Sequence, residues 1–305
     1  MVRVKIKLFR PSLIWKYLKR TILSNTLVWN YLGPLYYSRH RTACDQSELT
    51  AGIVGELREN GISIRHVSEF LSESDQLELM TVVESEYALP PRQSRKSFLE
   101  YFEGGDFPRE EQSLDLTNPL HRVAINETIL RPISQYLGYK AHLCYVELNR
   151  TRPEKLAVNK LQFSQNYHRD PGIKNCVKVF IYFSEVSAGS GPFTFIEQTQ
   201  QGGKKEELVP SRKRMAGSYY PNQKELQALM CEKPTVCEGE LGTVIFCDTT
   251  GWHFGGRSYD KERRMATFVY YPTFDNVSSR FYCQACDDPK LSDLQKEFLK
   301  KQPSF

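Results

Sequence analysis

The chain has 305 residues, of which 40% are hydrophobic and 12% aromatic, and its 41 Lys and Arg against 36 Asp and Glu give a net charge of +5. That is enough apolar material for one enzyme-sized domain with a substantial core. No repeat, no long low-complexity tract and no run of 18 apolar residues is present, which argues against a solenoid and against a membrane-spanning helix.

Charge is unevenly placed. Nine of the 41 basic residues and none of the 36 acidic ones lie in residues 1–42, so the remaining 32 basic residues face 36 acidic ones and the positive excess belongs to the N-terminus. Within it, Leu13 to Leu32 mixes aliphatic and aromatic residues with Lys16, Lys19 and Arg20. That pattern suits a basic amphipathic helix touching an anionic membrane surface or a partner, or one folded back on the domain with its lysines in water. Its apolar stretches are too short and too interrupted for a signal peptide. Without a recognisable reading motif, nucleic acid is not expected as a partner.

Further along, Ser72 to Tyr87 has helical spacing, with Leu77, Leu79 and Val82 among its apolar positions. Asn118-Pro119 reads as an N-cap followed by proline at the first helical position, Gly138 stands where a C-cap would lie, and Pro132 between them is expected to kink or divide the helix.

In the second half, Tyr167-His168-Arg169-Asp170 contains a His-x-Asp pair, and Trp252-His253-Phe254-Gly255-Gly256 brings a second histidine 85 residues after the first. Two imidazoles and one carboxylate can hold one face of an octahedral ferrous ion and leave the other face open. On an extended segment His168 and Asp170 share a face, which turns Arg169 away. Val177–Phe183 reads as a buried strand, with Lys178, Phe180 and Tyr182 on the face expected to look inward. Ser187–Pro192 is a turn, Phe193–Ile196 a further strand, and Gly242–Thr250 a turn leading into a strand. Arg264–Tyr271 is the last strand, and ligands at the ends of neighbouring antiparallel strands describe the mouth of a small β-barrel. Residues 202–240 are an excursion between strands, read either as a lid or as surface decoration.

The ordered set His168-Arg-Asp170, Gly191-Pro192-Phe193, Gly242-Thr243, Phe246-x-Asp248-Thr249, His253-x-Gly255-Gly256 and an arginine eleven residues beyond that histidine resembles the phytanoyl-CoA hydroxylase-like Fe(II)/2-oxoglutarate dioxygenases, over about residues 140–272. The resemblance implies a mainly β fold with helical elaboration, a double-stranded β-helix (jelly-roll, cupin-like) core with helices packed on its outer sheet. It implies His168, Asp170 and His253 as iron ligands and as the catalytic centre, and Arg264 as the partner of the distal carboxylate of 2-oxoglutarate. Fe(II), 2-oxoglutarate and O2 follow as cofactor and co-substrates, with ascorbate as reductant. The implied reaction is hydroxylation of a small molecule with decarboxylation of 2-oxoglutarate to succinate and CO2. Asp170 stands where related halogenases have alanine or glycine, which favours hydroxylation. Glu197-Gln198-Thr199 departs from the Gly-Ser/Thr-His segment of many members, so substrate contacts do not transfer.

Arg263 competes with Arg264 for the inward place, because alternation lets only one of them face the cavity. Lys178 is a second candidate for a carboxylate of substrate or co-substrate, and Gln162 and Asn166 share the parity of His168. Asp248 is placed to orient the loop carrying His253, and Arg257 either meets an anionic substrate or lies on an exposed loop. The organisation reads as a basic, partly helical extension over residues 1–45, a dioxygenase domain over 46–275, and a C-terminal tail over 276–305. Eight scattered cysteines without a signal peptide suggest reduced thiols in a cytoplasmic protein, peripheral at a membrane surface if residues 1–42 bind one. Cys283-Gln-Ala-Cys286 is a lone C-x-x-C, short of the four ligands of a structural zinc site. Two other readings stay open: a cupin-type metal enzyme that does not use 2-oxoglutarate, and a catalytically silent barrel that docks through its N-terminus.

Overall fold

The computed structural model describes residues 47–88, 112–153, 163–170, 175–208, 219–273, 281–283 and 288–299. The basic N-terminal segment, Gln162 and Cys286 therefore lie outside the described residues. In chain order the elements are α1 (Glu48–Glu59), β1 (Ile62–His66), α2 (Glu73–Ala88), β2 (Gln112–Ser113), α3 (Pro119–Ala124), α4 (Glu127–Leu137), β3 (Ala141–Thr151), β4 (Val177–Tyr182), β5 (Phe193–Phe195), α5 (Gln223–Met230), β6 (Thr235–Cys237), β7 (Thr243–Asp248), β8 (His253–Gly255), β9 (Arg263–Pro272), β10 (Phe281–Tyr282) and α6 (Asp293–Phe298).

A five-stranded antiparallel sheet in the order β1-β7-β4-β9-β3 stands opposite a three-stranded one in the order β6-β5-β8. Period-two alternation divides the larger sheet into two faces. Val179, Ile181, Val244, Phe246, Phe268 and Tyr270 look outward and are buried in one core with α1, α2, α3, α4 and α6. Phe180, Tyr182, Ile245, Cys247 and Met265 look inward and meet Phe193, Phe195 and Cys237 of the smaller sheet. The result is the jelly-roll expected from the sequence, with helices on its outer sheet.

Asn118 caps α3 through its side-chain oxygen, and Gly138 closes α4 at φ +65°. The break between the two helices falls at Ile125–Asn126 and not at Pro132. Asn126 accepts from the Thr128 N–H and starts a new helix, and Pro132 is carried within it. In their described parts the residues after 280 pack against the helices and the larger sheet. Phe281 and Phe298 are buried, the Phe298 ring packs 5.8 Å from Tyr270, and the Gln295 amide donates to the Ile125 carbonyl. All six described cysteines are free thiols, and among the described residues no helix is long and apolar enough to cross a membrane.

Candidate metal centre

Two short extended segments bring the ligand set together. His168 and His253 face each other across an antiparallel bridge, with N–H to carbonyl distances of 2.9 and 3.0 Å, and the Asp170 N–H donates to the Thr249 carbonyl at 2.9 Å. Potential ligand atoms of His168, Asp170 and His253 all lie within 4.8 Å of one another, close to what bonds of about 2.0–2.2 Å to one ion would span. The imidazole centroids are 4.2 Å apart, and His253 Nε2 stands 3.8 Å from Asp170 Oδ2.

The surroundings fix which nitrogen is free. His168 Nδ1 is 2.9 Å from the Asn166 carbonyl and His253 Nδ1 is 2.9 Å from the Gly251 carbonyl. A carbonyl only accepts, so each Nδ1 carries the proton and each Nε2 keeps its lone pair for a metal. Burial holds His168 below the ordinary imidazole range, and burial together with His168 pushes His253 down to about 3, so both rings are neutral at pH 7. For Asp170 burial would favour the protonated form, yet its neighbours, the Lys178 ammonium first among them, lower its pKa and keep the carboxyl ionised. Two neutral imidazoles and one carboxylate fit a divalent first-row metal.

Lys178 looks inward from β4, as its parity predicts, and pairs with the proposed ligand carboxylate. Its ammonium is 2.5 Å from Asp170 Oδ2, with the two side chains 15% and 9% exposed. Burial opposes its charge, but Asp170 more than compensates and raises its pKa.

Asp248 anchors the turn before His253. Its Oδ1 accepts from the Thr250 N–H and hydroxyl, and its Oδ2 accepts from the Tyr136 hydroxyl at 2.6 Å and the Asn175 amide at 2.5 Å. Burial raises its pKa even with those donors. Asn166 contributes the carbonyl that orients His168, and Arg257 is half-buried in the loop after β8.

The arginine pair corrects the expected register. Arg264, expected to face the cavity, is turned to the outer surface. Its Nε donates to Glu262 at 2.5 Å, its Nη1 donates to both oxygens of Glu84 at 3.0 and 2.9 Å, and the guanidinium lies 5.2 Å from the Tyr87 ring. Arg263 points in, 3% exposed, donating to the Gly191 carbonyl and to the Thr151 hydroxyl, and no carboxylate pairs with it among the described residues. Burial lowers its pKa. The parity of β9 decides this: Arg263 shares a face with Met265 and Thr267, while Arg264 shares one with Phe268 and Tyr270. Thr267, hydrogen-bonded to Asn149 at 3.0 Å, continues the polar inner face beyond Arg263.

A glycine shapes the turn whose carbonyl holds that fork. Gly191 adopts φ +71°, and a Cβ there would sit 2.3 Å from the Gly256 carbonyl, so the Gly-Pro turn can approach the loop after β8 only without a side chain. A Cβ on Gly255 would meet Arg263 Nη2 at 3.5 Å. The guanidinium thus lies beside β8 two residues beyond His253, a strand length of about 6.6–6.8 Å.

Comparison with solved structures agrees with the architecture. The epimerase SnoN in complex with Fe3+, alpha ketoglutarate and nogalamycin RO superposes with TM-score 0.53 at 12% identity, covering 76% of this chain and 86% of that one. AviO1 from Streptomyces viridochromogenes Tue57 gives 0.50 at 11% identity over 78% and 99% of the two chains, and EctD from S. alaskensis with bound Fe gives 0.50 at 13% over 81% and 84%. The fold is the jelly-roll these enzymes share. At such identities the likeness shows the fold alone. No family model matches the sequence, and no curated protein matches it significantly.

Proposed function

We propose that this protein is an Fe(II)- and 2-oxoglutarate-dependent oxygenase that hydroxylates a small molecule. The observation that carries the reading is the pairing, at one end of a jelly-roll, of a His-Asp-His cluster with free Nε2 atoms and a buried arginine fork without a carboxylate of its own. The likeness to SnoN, which binds Fe3+ and alpha ketoglutarate, and to EctD, which binds Fe, supports it, and the order of its motifs supports the phytanoyl-CoA hydroxylase-like family within that class.

His168, Asp170 and His253 would hold the iron. Bound iron, with 2-oxoglutarate and O2, supplies the oxidising chemistry: one oxygen atom ends in succinate, the other in the product, and CO2 leaves. Arg263, not Arg264, is the partner proposed for the distal carboxylate, since its planar fork is buried and lies beside β8, the strand that carries His253. Lys178 holds the charge of Asp170 and stands as the second cation able to meet a carboxylate. Phe180 and Phe193, with rings 4.7 Å apart, are buried hydrocarbon on the inner face, and the Phe193 ring lies 5.6 Å from that of His253, where it would keep water from the reacting centre.

The test is succinate release from 2-oxoglutarate with Fe(II) and ascorbate, with and without candidate substrates. Wild type should turn over and His168→Ala should not. Arg263→Met should raise the KM for 2-oxoglutarate by about 10- to 100-fold, the worth of a charge-assisted hydrogen-bonded pair. A purified protein that binds neither iron nor 2-oxoglutarate sinks the proposal.

A further inference from the structure

We propose that Arg169, the residue between two of the ligands, is a positioning residue that joins metal binding to the docking of residues 197–208 and 219–230 in a single event. The inference rests on the metal reading of the triad and adds a coupling to it.

The spacing that aims His168 and Asp170 at the cluster turns Arg169 the other way, and there it is 5% exposed. Its backbone exchanges two hydrogen bonds with Tyr219, each 2.9 Å. Its Nη2 donates to the carbonyls of Thr199 and Glu206, both at 3.0 Å, and its guanidinium lies 4.9 Å from the Trp252 ring centroid. Trp252 immediately precedes the proposed ligand His253, and its backbone N–H donates to the Thr199 hydroxyl at 2.9 Å. Tyr219 packs on Trp252 with centroids 5.4 Å apart and donates to Glu225 in the first turn of α5 at 2.9 Å. The next residue, Tyr220, stacks on the ring of His168 at 5.7 Å.

One residue thus ties four segments together: its side chain holds the turn after β5 and the Trp252 that precedes His253, and its backbone, within the other ligand-bearing segment, holds the stretch leading into α5. The arrangement has a mechanical reason. Residues 167–170 and β8 share a single isolated backbone bridge and the edge contact of Tyr167 with Phe254, centroids 4.5 Å apart, a small junction for holding two imidazoles within the roughly 0.5 Å that a working site needs. Hydrogen bonds and stacking from Arg169, Tyr219 and Tyr220 supply the rest. Linkage runs both ways, so a metal that fixes His168 and His253 must stabilise the docked segments by the same free energy with which docking favours metal.

The experiment uses the full chain with Mn(II) alone, reading the Mn(II) dissociation constant by equilibrium dialysis and backbone hydrogen exchange of residues 197–208 and 219–230. In wild type, Mn(II) should slow exchange in both stretches. Arg169→Met should weaken Mn(II) binding by about 10- to 100-fold, the usual cost of losing a group that orients a ligand, and should abolish the slowing at residues 197–208. Tyr219→Phe, which keeps the ring and loses only the bond to Glu225, should keep wild-type affinity and the slowing at 197–208 while losing it in α5. The coupling is overturned if wild type binds Mn(II) without any change of exchange there, or if folded Arg169→Met binds Mn(II) as tightly as wild type. A wild type that binds no Mn(II) overturns the metal reading as well.

Discussion

The two faces of the five-stranded sheet are built from the same strands and ask different things of them. On the outer face, residues such as Val179, Phe246 and Phe268 bury hydrocarbon under the helices. On the inner face, apolar Phe180 and Met265 alternate along the strands with Lys178, Thr267 and Arg263. Lys178 pairs there with Asp170, Thr267 with Asn149, and Arg263 with Gly191 and Thr151. The outer face can therefore be read as stability and the inner one as chemistry, and a substitution should damage one far more than the other.

The largest effect expected is on the outer face. Phe268→Ala removes a fully buried ring from the core beneath the helices and should cost about 3–5 kcal/mol. Denaturant unfolding at constant slope would measure it. The protein that stays folded should keep the wild-type KM for 2-oxoglutarate. A large KM change would mean that the two faces are not separable.

Lys178→Met comes next and breaks the inner face. It leaves Asp170 without its cation, and an uncompensated buried charge costs about 3–5 kcal/mol, a loss that proton uptake by Asp170 keeps below that limit. A divalent ion supplies charge to the same carboxylate, so added Mn(II) should restore most of the lost stability. Equal destabilisation with and without Mn(II) would separate Lys178 from the metal centre.

The same division explains what was legible in the sequence. The alternation of Lys178, Phe180 and Tyr182 against Val179 and Ile181 marks the inner face of β4 because the outer residues are β-branched and uniformly apolar. The His-x-Asp pair and the distant histidine come together because turns and strand ends on either side have strong local signals. At the start of β9, two adjacent arginines carry no alternation, and everything from Met265 to Tyr271 is buried, so a slip of one residue is invisible to composition. The clamp around Arg169 was out of reach for another reason: its partners Thr199, Glu206, Tyr219 and Trp252 are 30 to 83 positions away in the chain. Pro132 misled in the opposite sense, because Asn126 offers a better cap than a proline offers a break.

The smallest effect tests that register directly. Arg264 is paired at the outer surface with Glu84 and Glu262, side chains 59% and 26% exposed, and surface pairs of this kind contribute about 0.2–1 kcal/mol. With two such pairs, Arg264→Met should therefore lower stability by no more than about 2 kcal/mol and leave the KM for 2-oxoglutarate unchanged, although it alters the residue adjacent to Arg263. Activity, KM and a thermal melt on the one variant separate the two faces at neighbouring positions. If Arg264→Met raises the KM as much as Arg263→Met does, the fork proposed for the co-substrate is not set by the parity of β9, and the inward assignment of Arg263 falls with it.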